Sequence, residues 1–172
     1  MKTVLLGYMG SGKSTVAKLL ASSLNLPFTD LDDYIEQKEQ KSIKELFEDK
    51  GEIYFRLQES KYLKEVLEDT SPGIIALGGG TPCYGNNMTL INDLSKSFYL
   101  KGSISTITLR LSKEKSQRPL IAALNDEQLT EFIAKHIFER RAFYEQAGSI
   151  VNIDGKTVNE ICDELISELN AE

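Results

Sequence analysis

The sequence predicts an α/β fold, a five-stranded parallel sheet flanked by helices in three layers. Three observations lead there. Short apolar runs alternate with helical patterns along the whole chain. The runs are continuously apolar, as expected for strands covered on both faces. The first of them, Val4-Leu5-Leu6, passes directly into a glycine-rich segment, Gly7-Tyr8-Met9-Gly10-Ser11-Gly12-Lys13-Ser14, which opens a helix. That strand–loop–helix context is the one in which G-x-x-x-x-G-K-[ST] forms a phosphate-binding loop.

Taken in order, the elements begin with a strand over Thr3–Leu6 and a helix over Lys13–Leu24, whose Val16, Leu19 and Leu20 share a face. A second strand, Pro27–Asp30, is followed by three consecutive helices, Asp32–Lys38, Ile43–Lys50 and Glu52–Leu67. The middle one carries a capping-box signature at Ser42-x-x-Glu45, with Gly51 at its expected C-cap. The third strand, Ile74–Leu77, ends in Gly78-Gly79-Gly80. Next come a helix over Met88–Leu94, a strand over Phe98–Leu100 and a helix over Ile104–Lys113. A long helix over Asp126–Ala147, with Gly148 as its C-cap, leads to the strand Ile150–Ile153. A last helix, Val158–Leu169, is capped by Thr157-x-x-Glu160. No repeat, low-complexity tract or linker divides the chain, so 172 residues make one domain.

Two segments interrupt the alternation. The three helices between strands two and three, about residues 31–68, exceed a simple crossover and suit a substrate-binding insertion. An irregular stretch over 113–125 holds Lys113, Lys115 and Arg118 before Pro119 and reads as a mobile cationic lid. Its alternative is a solvated surface loop.

Composition narrows the partners. A net charge of −6 argues against a general nucleic-acid binder. Any anion must therefore be met by locally placed Lys and Arg. Two cysteines, Cys83 and Cys162, make no disulfide framework, and a single histidine, His136, makes no zinc site. No continuous apolar run is long enough to span a bilayer, and the chain enters its first strand too soon for a signal peptide. The expectation is a cytoplasmic monomer that binds neither membrane nor nucleic acid.

In open parallel sheets ligands bind beyond the carboxyl ends of the strands. Three strand ends carry chemistry. In the first loop, glycines let backbone N–H groups converge on a polyanion at a helix N-terminus. Lys13 adds a compact charge for the phosphates, and the Ser14 hydroxyl suits Mg²⁺. At the second, Asp30 and Asp32 flank Leu31: one carboxylate for the Mg²⁺ shell and one for a substrate hydroxyl, or else simple helix capping. At the third, Gly78 to Gly80 allow backbone N–H groups to approach a small polar ligand, or form only a flexible turn. No N-K-x-D element reads guanine, and no acidic end closes the third strand as in an ATPase motor.

Along nearly its whole length the chain resembles the shikimate kinases. The similarity is carried by G-Y-M-G-S-G-K-S-T at Gly7–Thr15, D-L-D at Asp30–Asp32, F-R at Phe55–Arg56, L-G-G-G at Leu77–Gly80, R-P-L at Arg118–Leu120 and R-A-F-Y-E-Q-A at Arg141–Ala147. The resemblance implies a P-loop kinase fold and ATP-dependent phosphorylation of the 3-hydroxyl of shikimate, towards chorismate and the aromatic amino acids. It implies that Gly10, Ser11, Gly12, Lys13, Ser14 and Thr15 bind ATP, with Arg110 at the adenine and Arg118 reaching the phosphates from the lid. Ser14 and Asp30 would hold Mg²⁺. Shikimate would lie among Asp32, Arg56, Gly78, Gly79, Gly80 and Arg141, the arginines pairing with its carboxylate. Lys13, Asp32 and Arg118 would be the catalytic set. An ordinary carboxylate pKa of about 4 makes Asp32 a weak base for an alcohol, which favours a positioning role. A kinase for a related small hydroxy acid such as gluconate, and a nucleotide-binding module without catalysis, remain the alternatives. Phe47, Phe55 and Tyr144 are candidates for pocket walls or core, Met9 for substrate contact or packing, and Cys162 for core; His136 reads as structural or solvated, and nothing in the sequence marks Cys83 as an activated thiol.

Overall fold

The computed structural model describes residues 1–171. Its five strands are β1 (Lys2–Leu6), β2 (Phe28–Asp30), β3 (Gly73–Ala76), β4 (Ser95–Lys101) and β5 (Ser149–Asn152). The helices are α1 (Lys13–Leu24), α2 (Leu31–Glu39), α3 (Ile43–Lys50), α4 (Glu52–Glu68), α5 (Asn87–Leu94), α6 (Ile104–Glu114), α7 (Asp126–Tyr144) and α8 (Val158–Asn170). Short 3₁₀ turns lie at Thr81–Cys83 and Lys115–Gln117.

All strand pairs are parallel, in the order β2-β3-β1-β4-β5. β1 is central and wholly buried, whereas β2 and most of β5 at the edges are partly exposed. This explains the purely apolar Val4-Leu5-Leu6: there is no solvent face to supply polar alternation. β1 pairs with β3 from Lys2↔Gly73 to Leu5↔Ala76 and with β4 from Lys2↔Ser95 to Leu6↔Tyr99. The chain leaves β1 towards one side of the sheet and returns to its other side at β4. The order therefore reverses next to β1, and the crevice lies beyond its carboxyl end.

β4 is longer than the apolar run Phe98–Leu100 indicates, because serines extend it at its start. They are buried with their hydroxyls satisfied: Ser95 donates to the Ile91 carbonyl at 2.5 Å, and Ser97 donates to Asn92 Oδ1 at 2.6 Å. A periodicity search sees polarity there and not the partners that satisfy it. α7 is shorter than expected, ending at Tyr144, with Glu145 at the cap. Gly148 is thus not a helix cap. It lies next to β5, where its N–H donates to Ser97 Oγ at 2.8 Å. Both expected capping boxes form, and a third appears at Asn125 and Gln128. Gly51, at φ 86°, ends α3 and starts α4 at once. A positive φ there turns the chain without a Cβ clash.

Between β2 and β3, α4 packs against α2, α3 and α5. The joints are aromatic and polar: Phe47 against Phe55 at 4.6 Å, and Glu39 accepting from Tyr54 at 3.0 Å and Tyr62 at 2.6 Å. Phe55 and Tyr144 are almost fully buried, so core packing holds for both, and Phe47 packs partly buried against the same core.

Candidate active site

The three strand ends converge. The loop after β1 enters α1 through Gly12, whose φ of 85° is left-handed and closed to most side chains. Lys13 is buried and donates from Nζ to the Tyr8 carbonyl at 3.0 Å, which folds its ammonium back over the loop. Burial pulls its pKa down to about 8 against the opposing pull of Asp32. Ser14 Oγ donates to Asp30 Oδ2 at 2.7 Å, while Asp30 Oδ1 accepts from the Asp32 N–H at 3.1 Å and caps α2. Asp30 therefore caps the helix and also faces the loop serine. Among the described residues no group of three or more His, Cys, Asp or Glu is poised for a metal. The oxygen pair Ser14–Asp30 instead suits a hard cation completed by phosphate and water.

Asp32 projects over the glycine turn: a Cβ built on Gly78 would lie 3.0 Å from Asp32 Oδ1. Desolvation, with Asp30 and Glu59 adding repulsion, raises its pKa to about 6. The ordinary value assumed from sequence does not hold, because the carboxylate is enclosed among other acids. Lys13 offsets this only in part.

Two cavities meet at Gly78–Gly80. The larger, about 540 Å³, is lined by Met9, Gly10, Gly12, Lys13, Ser14 and Thr15 together with Asp30, Asp32, Gly78, Gly79, Arg110, Lys113, Glu114, Arg118 and Val158. Four cations thus supply, locally, the positive charge that the chain as a whole lacks. The smaller, about 290 Å³, is lined by Glu52, Ile53, Arg56, Gly80, Cys83, Tyr84 and Arg140. Burial pushes the Cys83 thiol up to about 11, so it is no thiolate at neutral pH.

The structure sorts the expected residues. Gly10, Gly12, Lys13, Ser14, Thr15, Asp30, Asp32, Gly78, Gly79, Arg110 and Arg118 line the first cavity, and Arg56 and Gly80 the second. Ser11 is fully buried beneath the loop, contributing main-chain groups; its carbonyl and that of Gly10 each accept from Arg110 Nη1 at 3.3 Å. Arg118 is extended, as the following proline dictates, and its guanidinium is held by Glu114 at 2.9 Å. The segment around it is a chain of turns anchored by the buried Ile121 rather than an open loop.

Arg141 is the exception. Its side chain is 61% exposed, paired with Glu145, and lines neither cavity. The neighbouring Arg140 lines the second cavity, and its Nη1 lies 3.2 Å from a Cβ built on Gly79. The reason is helical geometry. Successive residues point about 100° apart, whereas Arg140 and Tyr144, four apart, share a face. Tyr144 looks inward, donating to the Gly79 carbonyl at 2.6 Å, so Arg140 does too. The spacing to the inward tyrosine was the signal available in the sequence.

Glu59 was also missed. It is 1% exposed; Oε1 accepts from Arg56 Nη1 at 2.6 Å and Oε2 from Thr81 Oγ1 at 2.7 Å. It fixes Arg56 against the glycine turn, where a methyl group on Gly80 would overlap the guanidinium. An acid three residues after Arg56 reads from sequence as a solvated helix pair. Its burial only the fold reveals.

Comparison with known proteins matches this architecture. A family model described as shikimate kinase covers residues 9–170. The chain is 48% identical to a shikimate kinase of Flavobacterium johnsoniae over 98% of both chains. It is similar in structure to a shikimate kinase from Bacteroides thetaiotaomicron, with TM-score 0.91, 37% identity and coverage of 99% and 98%. A shikimate kinase from Acinetobacter baumannii in complex with shikimate gives TM-score 0.85 at 27% identity, covering 99% and 93%.

Proposed function

The chain belongs to the shikimate kinase family, and on that premise we propose how its residues divide the ATP-dependent phosphorylation of the shikimate 3-hydroxyl. The observation that carries the reading is the convergence on Gly78–Gly80 of a phosphate-binding loop, a shielded carboxylate and two arginines. It suits a substrate that is at once an alcohol and a carboxylate.

ATP occupies the larger cavity, its phosphates against the main chain of Gly10 to Thr15 and its adenine side towards Arg110. Shikimate lies across the glycine turn. Its carboxylate pairs with Arg56 and, in place of Arg141, Arg140; the Gly79 N–H and the Gly78–Gly80 main chain border its ring. Planar guanidinium groups suit a carboxylate through paired, charge-assisted bonds. Glu59 holds Arg56 in place for this.

Asp32 orients the 3-hydroxyl towards the γ-phosphorus. The oxygen attacks, the bond to ADP breaks with its electrons leaving on ADP, and the hydroxyl proton passes late to the Asp32 carboxylate. In a loose phosphoryl-transfer transition state most of the work is positioning and charge neutralisation. A carboxylate with pKa about 6 is nevertheless a better proton acceptor than an exposed one. Lys13 and Arg118 neutralise charge on the transferring group. Ser14 and Asp30 are the residues suited to Mg²⁺, which supplies further charge neutralisation at the phosphates when bound. In this reading Arg118 exchanges Glu114 for those phosphates, and residues 113–125 act as a lid that excludes water. Residues 31–68 form the shikimate-binding insertion.

The acidic net charge supports a protein that binds no nucleic acid, and no helix among the described residues is long and apolar enough to cross a membrane. Free cysteines suit a reducing cytoplasm, and we place the protein there as a monomer. An ADP-release assay with shikimate, gluconate and other hydroxy acids tests the reading. Turnover with shikimate alone is expected; equal turnover with gluconate, or none with any acid, would overturn it.

A further inference from the structure

Tyr8 belongs to the phosphate-binding loop, yet its side chain leaves the loop for α7. It is 2% exposed, and its hydroxyl lies 3.0 Å from His136 Nδ1, with the rings edge-on at 5.8 Å and 71°. The Arg140 guanidinium sits over the same phenol ring at 5.8 Å. The main chain of Tyr8 faces the other way: its carbonyl accepts from Lys13 Nζ at 3.0 Å and from the Ser11 N–H at 3.2 Å. One residue thus touches the nucleotide side by its backbone and the shikimate side by its ring.

α7 is organised to receive it. Phe132, His136, Arg140 and Tyr144 recur every fourth residue and form one stripe. Phe132 braces the imidazole at 4.7 Å, and Tyr144 donates to the Gly79 carbonyl. The stripe therefore grips the loop after β1 at Tyr8 and the turn after β3 at Gly79. A phenylalanine would fill the same volume as Tyr8, but the hydroxyl adds a directional bond between segments 128 residues apart. Burial keeps the phenol neutral up to about 12, and burial together with Arg140 holds the imidazole below its usual value. We assign the Nε2–H tautomer, with Nδ1 accepting from Tyr8.

We propose that His136 is a positioning residue which, through Tyr8, couples the nucleotide site to the shikimate site, so that phosphates on the loop raise the affinity for shikimate. Phosphates compete with the Tyr8 carbonyl for the Lys13 ammonium. The resulting adjustment of the loop moves the phenol, and the phenol is tied to the helix that presents Arg140. By linkage, shikimate must raise nucleotide affinity by the same factor. The inference rests on the reading of Arg140 as a shikimate ligand.

Calorimetric titration of shikimate with and without saturating ADP tests it. The unaltered protein is expected to bind shikimate at least about fivefold more tightly with ADP present, the lower end of common coupling factors. Tyr8→Phe and His136→Leu should each cut that factor below about twofold, and the double variant should match the singles, because both remove one bond. His136→Asn keeps an acceptor at the Nδ1 position and should restore the coupling. An unaltered protein without coupling, a Tyr8→Phe variant that keeps it, or an Asn variant that behaves as Leu would overturn the inference. Arg140→Ala separates the two readings. Unchanged shikimate affinity in that variant removes the underlying assignment; weakened affinity with coupling intact in Tyr8→Phe removes only the inference.

Discussion

Replacing Asp32 with Asn should stabilise the ligand-free protein while disabling it, and the stabilisation should depend on pH. The carboxylate sits over Gly78 among Asp30 and Glu59, and its pKa of about 6 already includes the attraction of Lys13. An unfolded aspartate titrates near 3.9, so ionising this one in the folded protein costs about two pKa units, roughly 3 kcal/mol. The folded pKa is raised, so Asp32 carries no penalty below about pH 4. The penalty grows as pH rises through 6 and is complete near pH 7.5. For a domain of this size, about 2–4 °C per kcal/mol gives a melting temperature about 6–12 °C higher for Asp32→Asn at pH 7.5, shrinking to nothing at pH 4. Scanning calorimetry of both proteins from pH 4 to 8 measures it. In the same samples kcat should fall about 10²–10³-fold, because the acceptor hydroxyl loses its charged partner. A gain that is equal at every pH, or a loss of stability at pH 7.5, would refute the picture of an enclosed and repelled carboxylate.

Lys13→Ala should stay folded, since the ammonium is a loop group and not core, and lose about 10²–10³-fold in rate. In the intact enzyme kcat/KM for ATP should decline above about pH 8, where Lys13 deprotonates, while kcat holds to higher pH because bound phosphates favour its charged form; circular dichroism and a pH–rate profile check both. Arg56→Ala and Arg140→Ala should each weaken shikimate binding by about tenfold to 150-fold, the worth of one charge-assisted contact, with ATP binding spared; Arg141→Ala should change neither in calorimetry, its side chain being exposed beside Glu145. Gly80→Ala should raise KM for shikimate by displacing Arg56 and leave the ATP KM near its usual value in steady-state kinetics. Arg118→Ala should lower kcat more than ATP affinity, and hydrogen exchange over residues 113–125 should slow most with ATP analogue and shikimate together; equal exchange in every ligand state would mean a static segment.

The sequence by itself determined the parts whose chemistry is contiguous. A strand feeding Gly7–Ser14 into a helix is a phosphate-binding loop wherever it occurs, because the backbone conformation and the charge come from neighbouring residues. The same holds for the Asp30–Asp32 corner, the glycine run after β3 and the capping boxes at Ser42 and Thr157. Strand identity was legible for β1 and β3, whose burial on both faces leaves an unbroken apolar run. It was incomplete for β4, whose buried serines look like surface. Only the tertiary structure decided which residues meet. The order β2-β3-β1-β4-β5 comes from long-range pairing that no local pattern encodes. Arg140 rather than Arg141 faces the cleft because about 100° of helix rotation separates them, and packing of Tyr144 against Gly79 sets the phase. Glu59 becomes a buried anchor, and Asp32 a carboxylate with pKa about 6, through desolvation by segments far away in the chain. Residue type sets what a group can do; its dielectric surroundings and neighbours, which the fold assembles, set what it does.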